Sequence, residues 1–451
     1  MGLGVWVLIA YIAAIIFWNT AVKRNIGEAM GVGLLAVVLF SGKSAVKLIW
    51  DSFIYAAKQE TVFAALAFVF MAYVMTKTGL VKRLVDILNS ILGRLPGGAG
   101  YISTLASALF GLISGSGSGN AASVGAIAIP WMTNSNWSPE LAATVIAGNA
   151  GLGIALPPCS SMFILMGSAI VAEKVSPGAL YIALLGAGLW TLVYRLILVR
   201  YFVYKYHIKP LPNEMISPLR KTFSEGWSSL LIFIGIILPV ILTIGPVSEY
   251  LKSVKNFGPD ALDSISIIVW IPVLISWIAI IEGRKYLPTT VSGWFDFVKD
   301  AAQRYIVVGA TLFFAFAASY AMNKLGLAKD LTSLLQSLNA SRVLMTILVG
   351  ILVTLVSAPL TSTATIAAIG AVGFSALTNV GINPAVAAAS VLIFASTEGA
   401  SPPNSAPIFI ACGMADVNPV KTFVPLIIYY VIPIVAIGCL IALGILPIFN
   451  L

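Results

Sequence analysis

Long apolar runs alternate with short polar connectors throughout this chain. Runs at 3–19, 26–40, 61–74, 179–203, 230–244, 264–281, 306–322 and 422–445 are long enough, or nearly so, to cross a bilayer as helices. In 80–92, apolar residues recur at helical spacing beside Lys82, Arg83 and Asp86. That pattern predicts an amphipathic helix lying in the interface, and 327–338 repeats it with Lys329 and Asp330. With 59% hydrophobic residues, 10% charged and a mean hydropathy of +0.99, the chain is expected to be an all-α polytopic membrane protein.

Four stretches break the apolar pattern where hydrocarbon depth is expected. The first, 114–120 (Ser-Gly-Ser-Gly-Ser-Gly-Asn), lies between apolar runs each too short to span. Glycine costs a helix roughly 1 kcal/mol per residue relative to alanine, and backbone freed in lipid needs partners. With uncharged flanks and no Lys, Asp or Glu at the tip, this predicts a re-entrant hairpin rather than an extramembrane loop. A second tip is expected at 357–365. Two broken helices are expected at 148–161, with Pro157-Pro158, and at 396–405, with Pro402-Pro403. A double proline removes two amide donors and exposes carbonyls in the preceding turn. Those carbonyls, with hydroxyl and amide oxygens, make a hard-oxygen cage suited to Na⁺, while the following half-helix N-termini suit an anion. The expected cation-binding set is Ser114, Gly115, Ser116, Asn149, Gly151, Thr361, Ser362, Thr363, Ser396, Thr397 and Glu398. The expected substrate-binding set is Ser118, Asn120, Pro158, Cys159, Ser160, Ser401, Pro403 and Asn404. Glu398 stands out as the one carboxylate expected at midplane depth, where an ion costs at least about 2.5–3.5 kcal/mol. It is either a cation ligand or a carboxyl bonded to the neighbouring break. Cys159 reads as a small lining residue, and Arg195 and Arg200 as side chains snorkelling to the inner interface.

Charge narrows the function classes. The net charge of +9 is scattered over connectors beside apolar segments, which is the positive-inside pattern and not a nucleic-acid surface. That bias puts Lys23, Arg24, Lys82, Arg83, Arg220 and Lys221 inside and both termini outside. Residues 3–19 lack a cationic lead and a small-residue cleavage site, so they are expected to be a spanning helix. Cys159, Cys412 and Cys439 lie in apolar segments and form no transition-metal cluster; Na⁺ is the only metal expected, and no organic cofactor. A serine hydrolase using Ser116 or Ser118 would lack a base, since His207 is in a distant connector; no enzyme is expected.

The polar connector 205–229 divides two halves that repeat. Thr78-Gly79-Leu80 returns as Leu325-Gly326-Leu327, Ser138-Pro139 as Asn383-Pro384, Pro157-Pro158 as Pro402-Pro403, and Ser176-Pro177 as Asn418-Pro419. The offset drifts only from 247 (79 to 326) to 242 (177 to 419). The expected units are scaffold helices 1–75, a first repeat 76–204, the connector 205–229, scaffold helices 230–304 and a second repeat 305–451. With Lys82 inside and Lys329 outside, the copies are inverted, the pattern of secondary transporters with a site at the repeat interface.

These residues carry a family resemblance: Gly79-Leu80, Gly97-Gly98, Ser107 to Gly111, Ile113-Ser114-Gly115-Ser116, Ile129-Pro130-Trp131-Met132, Pro157-Pro158 and Val175-Ser176-Pro177-Gly178. Fainter matches follow at Pro359, Gly381-Ile382-Asn383-Pro384 and Ser401-Pro402-Pro403. Their order resembles the large membrane subunit of TRAP (tripartite ATP-independent periplasmic) transporters. The resemblance implies a Na⁺-driven, elevator-type importer of small organic acids in the bacterial or archaeal cytoplasmic (inner) membrane. It also implies two separate partners, a small four-helix membrane subunit and a periplasmic substrate-binding protein. Two departures from that family are visible: no aspartate lies between Ser341 and Ser396, and Ser401-Pro402-Pro403 stands where Thr-Pro-Pro is usual. The alternative is a stand-alone ion-coupled carboxylate symporter or antiporter of similar fold.

Overall fold

The computed structural model describes residues 2–24, 26–243, 246–254, 266–327, 329–330, 333, 340–358, 360–402 and 405–449. The expected interface helix at 327–338, the tip residue Pro359, and Pro403 and Asn404 fall wholly or largely outside them. Among the described residues every regular element is helical. Helices long and apolar enough to cross a membrane include Glu60–Lys77, Pro177–Tyr206 and Ile267–Tyr286.

One layer is built from α1 (Leu3–Thr20), α2 (Ile26–Leu39), α3 (Ala45–Ala57) and α4 (Glu60–Lys77). α5 (Leu80–Leu92) follows, with Leu80, Leu84 and Ile87 buried and Lys82 exposed, so its polar and apolar faces separate as the spacing predicts. A second group begins with a helical hairpin, α6 (Gly98–Ser114) and α7 (Gly117–Asn134). Next comes an interrupted helix made of α8 (Pro139–Ala150), α9 (Leu152–Ala155), α10 (Ser160–Met166) and the short α11 (Ala169–Ala172). α12 (Pro177–Tyr206) closes the half.

After α13 (Leu219–Gly226) the chain returns to the first layer through α14 (Ile232–Thr243), α15 (Pro246–Ser253), α16 (Ile267–Gly283) and α17 (Val291–Lys324). Where the apolar run predicts a helix over 306–322, α17 extends without interruption from Val291. The boundary expected between 304 and 305 therefore falls inside one element. A second hairpin follows: α18 (Arg342–Ser357), α19 (Ser362–Thr365), a π-turn (Ile366–Gly370) and α20 (Ala371–Asn379). The second interrupted helix runs from α21 (Pro384–Ala395) through a 3₁₀ turn (Ser396–Ala400) to α22 (Ala406–Ala415). α23 (Val420–Leu426) and α24 (Ile432–Ala442), joined by a π-turn, complete the chain's regular structure.

Local chemistry sets several of these boundaries. Ser138 and Ser176 accept from the amides of Leu141 and Ala179 with proline at the next position, and Asn383 does the same for Ala385 ahead of Pro384. Such caps are each worth about 1 kcal/mol, and proline at the first helical position is preset for the helix.

The packing interleaves the two halves. α2 and α3 lie on α17, and α4 on α16 and α17, as one layer. In the other layer α22, from the second interrupted helix, lies against α7 and α8 of the first half. Reciprocally, α10 lies against α19 and the adjoining π-turn of the second hairpin. Residues 142–159 are buried without exception, so the first interrupted helix forms the axis around which the rest is arranged.

Candidate functional site

The two interrupted helices meet at their breaks. A methyl group at Gly399 would lie 3.1 Å from the Ala147 carbonyl oxygen and 3.1 Å from the Gly151 amide. One at Gly151 would collide with the Ser396 carbonyl oxygen. Only glycine permits this approach of two backbones.

The first hairpin tip closes on the same place. Gly115 has φ +57°, a left-handed conformation that suits glycine, and a side chain there would lie 2.9 Å from the Cα of Cys159. Gly153 sits as close to the Ser116 carbonyl: a methyl would be 2.7 Å away. The cis peptide Pro157-Pro158 lies in the turn between α9 and α10.

Glu398 joins the elements. Its carboxylate is buried, with Oε2 3.5 Å from where a side-chain carbon at Gly117 would lie. Ser362, at the start of the second hairpin's returning leg, neighbours the same carboxylate. Gly117 of the first hairpin and Ser362 of the second therefore flank one acidic side chain on the second interrupted helix.

The other expected residues take distinct places. Asn149 donates through Nδ2 to the hydroxyls of Ser103 (3.3 Å) and Thr104 (3.0 Å), and Asn120 donates to the Ser107 carbonyl (2.8 Å). Ser103 and Ser107 are about one helical turn apart on α6. In both asparagines Oδ1 is buried and has no hydrogen-bond partner among the described residues. The Thr365 and Ser405 hydroxyl oxygens are in the same condition. Carboxylate, amide and hydroxyl oxygens are the hard donors that a small cation takes; Asn89, Tyr181, Ser248 and Ser390 carry unpartnered buried oxygens as well. Ser116 lies at the exposed tip, where its hydroxyl accepts from the Gly119 amide. Thr361 and Thr363 share a hydrogen bond of 3.0 Å. Ser396, Thr397 and Ser401 turn their hydroxyls onto carbonyls of their own helix, at 2.7–2.8 Å. Ser118 and Ser160 are half-buried and Pro158 is buried. Gly151 contributes backbone; the side chain of Ser114 is not among those described. Cys159 is buried, donates to the Ile154 carbonyl and accepts from the Met162 amide, so it caps α10.

Arg195 departs from expectation. It is 1% exposed, not snorkelling. Its Nε and one terminal nitrogen donate to the Gly148 carbonyl at 3.4 and 3.2 Å, and the other to Thr191 at 3.2 Å. Its guanidinium lies 6.0 Å from the centre of the Tyr430 ring. It thus ties α12 and the last segment to the carbonyl just before the first break. The sequence holds no local signal for this, because Gly148 lies 47 residues away.

This arrangement of hairpins and interrupted helices recurs among solved structures. MtrF of Neisseria gonorrhoeae, from a study of a class of antimetabolite efflux pumps, shares the fold with a TM-score of 0.66 at 15% identity, over 88% of this chain and 83% of that one. The YdaH transporter of Alcanivorax borkumensis has a TM-score of 0.64 at 16% identity, over 88% and 87%. Residues 12–448 match the model of the DctM component of the tripartite ATP-independent periplasmic transporters, and the chain belongs to that family. The uncharacterized protein YgiK of Salmonella typhimurium is 22% identical over 92% of both chains. The C4-dicarboxylate TRAP transporter large permease DctM of Pseudomonas aeruginosa is 32% identical over 47% of each. The sialic acid large permease SiaM of Vibrio cholerae is 24% identical, over 62% of this chain and 61% of that one. The matches to DctM and SiaM thus span about half to three-fifths of those relatives' length. DctM and SiaM are named as large permeases.

Proposed function

We propose that this chain is the large membrane subunit of a Na⁺-coupled importer of small organic acids, fed by a separate substrate-binding protein and assembled with a small membrane subunit in the cytoplasmic membrane. The carrying observation is the Glu398 carboxylate held between Gly117 of one hairpin and Ser362 of the other. Na⁺ would bind at that carboxylate, with the unpartnered oxygens of Asn149, Asn120 and Thr365 as its candidate further ligands, and the solute beside the half-helix N-termini at Ser118 and Ser160. The two halves act as inverted repeats. Repeat-related positions support this, since Gly79 and Gly326 are both left-handed (φ +67° and +88°), as are Asn136 and Gly381 (φ +69° and +81°). The hairpins and interrupted helices move together as an elevator against the layer of α1–α4, α14, α16 and α17. Each Na⁺ entering down 100 mV contributes about 2.3 kcal/mol, so two are enough for steep accumulation.

Reconstitution with the small subunit tests this. Uptake of a labelled C4-dicarboxylate or another acid from a small panel should need both an inward Na⁺ gradient and the binding protein. Uptake by this chain alone would favour the stand-alone symporter, and Na⁺-independent uptake would remove the coupling.

A further inference from the structure

A cavity of about 170 Å³ lies between α5 and the two legs of the first hairpin, away from Glu398. Ala106, Phe110 and Trp131 give it apolar walls, Ser103 and Ser123 add hydroxyls, and Lys82 is the one charged side chain among the described residues that line it. Lys82 makes no ion pair within 4 Å among the described residues; Asp86 lies one turn along α5. Apolar cavities of roughly 150 Å³ stay dry and take up benzene. This one has slightly more room and a cation at its wall.

We propose that the cavity binds a benzoate-sized amphiphilic carboxylate, its ring among Ala106, Phe110 and Trp131 and its carboxylate on Lys82. Such an occupant also touches Ser103, whose hydroxyl accepts from Asn149 Nδ2. It adds to the packing of α5 on α6, and α5 lies on α13 as well. Under the transport reading proposed above, on which this consequence alone rests, an occupant restrains the hairpin and slows transport.

The probe is 4-bromobenzoate, a heavy-atom quencher, titrated into the purified chain in detergent with tryptophan emission followed. Wild type should show saturable quenching, and Trp131→Phe should lose that component. Lys82→Gln should weaken binding about fivefold, the scale of an exposed charge pair. Asp86→Asn, which removes a negative charge one turn from Lys82, should tighten it. Ala106→Phe fills the cavity with Lys82 intact and should abolish it. Quenching that stays linear, or is the same in Lys82→Gln and wild type, means partition into micelles and overturns the site. These arms need neither Na⁺ nor partners. Saturable binding with unaltered uptake in proteoliposomes would therefore leave the site standing and remove the hairpin motion instead.

Discussion

Replacing Arg195 by methionine separates a structural tie from a surface charge. The change keeps length and apolar bulk but removes the donors to the Gly148 and Thr191 carbonyls, at 3.2–3.4 Å, and the contact with Tyr430. A buried carbonyl left without its donor costs about 1–3 kcal/mol. The guanidinium's own desolvation cost disappears with it, and no opposite charge is left stranded. The loss should therefore stay near about 1–3 kcal/mol, below the roughly 3–5 kcal/mol of a broken buried ion pair. SDS titration of the protein in mixed micelles should show an earlier unfolding midpoint. Asn149 follows Gly148 directly, so Na⁺ affinity should fall about tenfold, equivalent to about 1.4 kcal/mol of misplacement. Arg195→Lys keeps the charge but reaches one carbonyl instead of forking, and should lie between. An unchanged midpoint together with unchanged Na⁺ affinity in Arg195→Met would refute the reasoning.

Other substitutions probe the meeting of the breaks. Gly151→Ala drives a methyl into the Ser396 carbonyl and should cost at least about 1–3 kcal/mol, again read by SDS titration. Asn149→Ala and Asn120→Ala remove unpartnered Oδ1 atoms, and each should reduce Na⁺ binding about tenfold or more; unaltered binding would exclude that asparagine as a ligand. With Cys159, Cys412 and Cys439 replaced, cysteines at 117 and 362 should be joined by a short bifunctional thiol reagent, whereas hairpin tips far apart would leave them unjoined. Glu140→Gln breaks the exposed pair with Lys421 (3.2 Å) and should change stability by less than about 1 kcal/mol.

The breaks were legible because glycine, serine and double proline interrupt apolar runs in a way lipid does not tolerate, and Glu398 because a carboxylate there is costly. Both signals are local. α3 gives no clear hydropathy signal since Lys47 and Asp51 interrupt its apolar spacing, although Leu48, Ser52 and Ala56 make a buried stripe. α17 begins in the polar stretch after Thr290, whose hydroxyl caps it, so hydropathy alone placed its start too late. Arg195 was misplaced for a different reason. An arginine within a span usually snorkels, and only the three-dimensional approach of Gly148 shows that this one is held inside. The orphaned oxygens of Asn120 and Asn149 likewise depend on which acceptor oxygens α6 offers to their Nδ2 groups.

Binding of ²²Na⁺ to the purified chain is the most direct test of whether a carboxylate clasped by both hairpins holds the driving ion. Wild type should bind saturably, and Glu398→Gln should lose at least about tenfold in affinity while unfolding normally in SDS. Equal Na⁺ affinity in the two proteins would contradict the account.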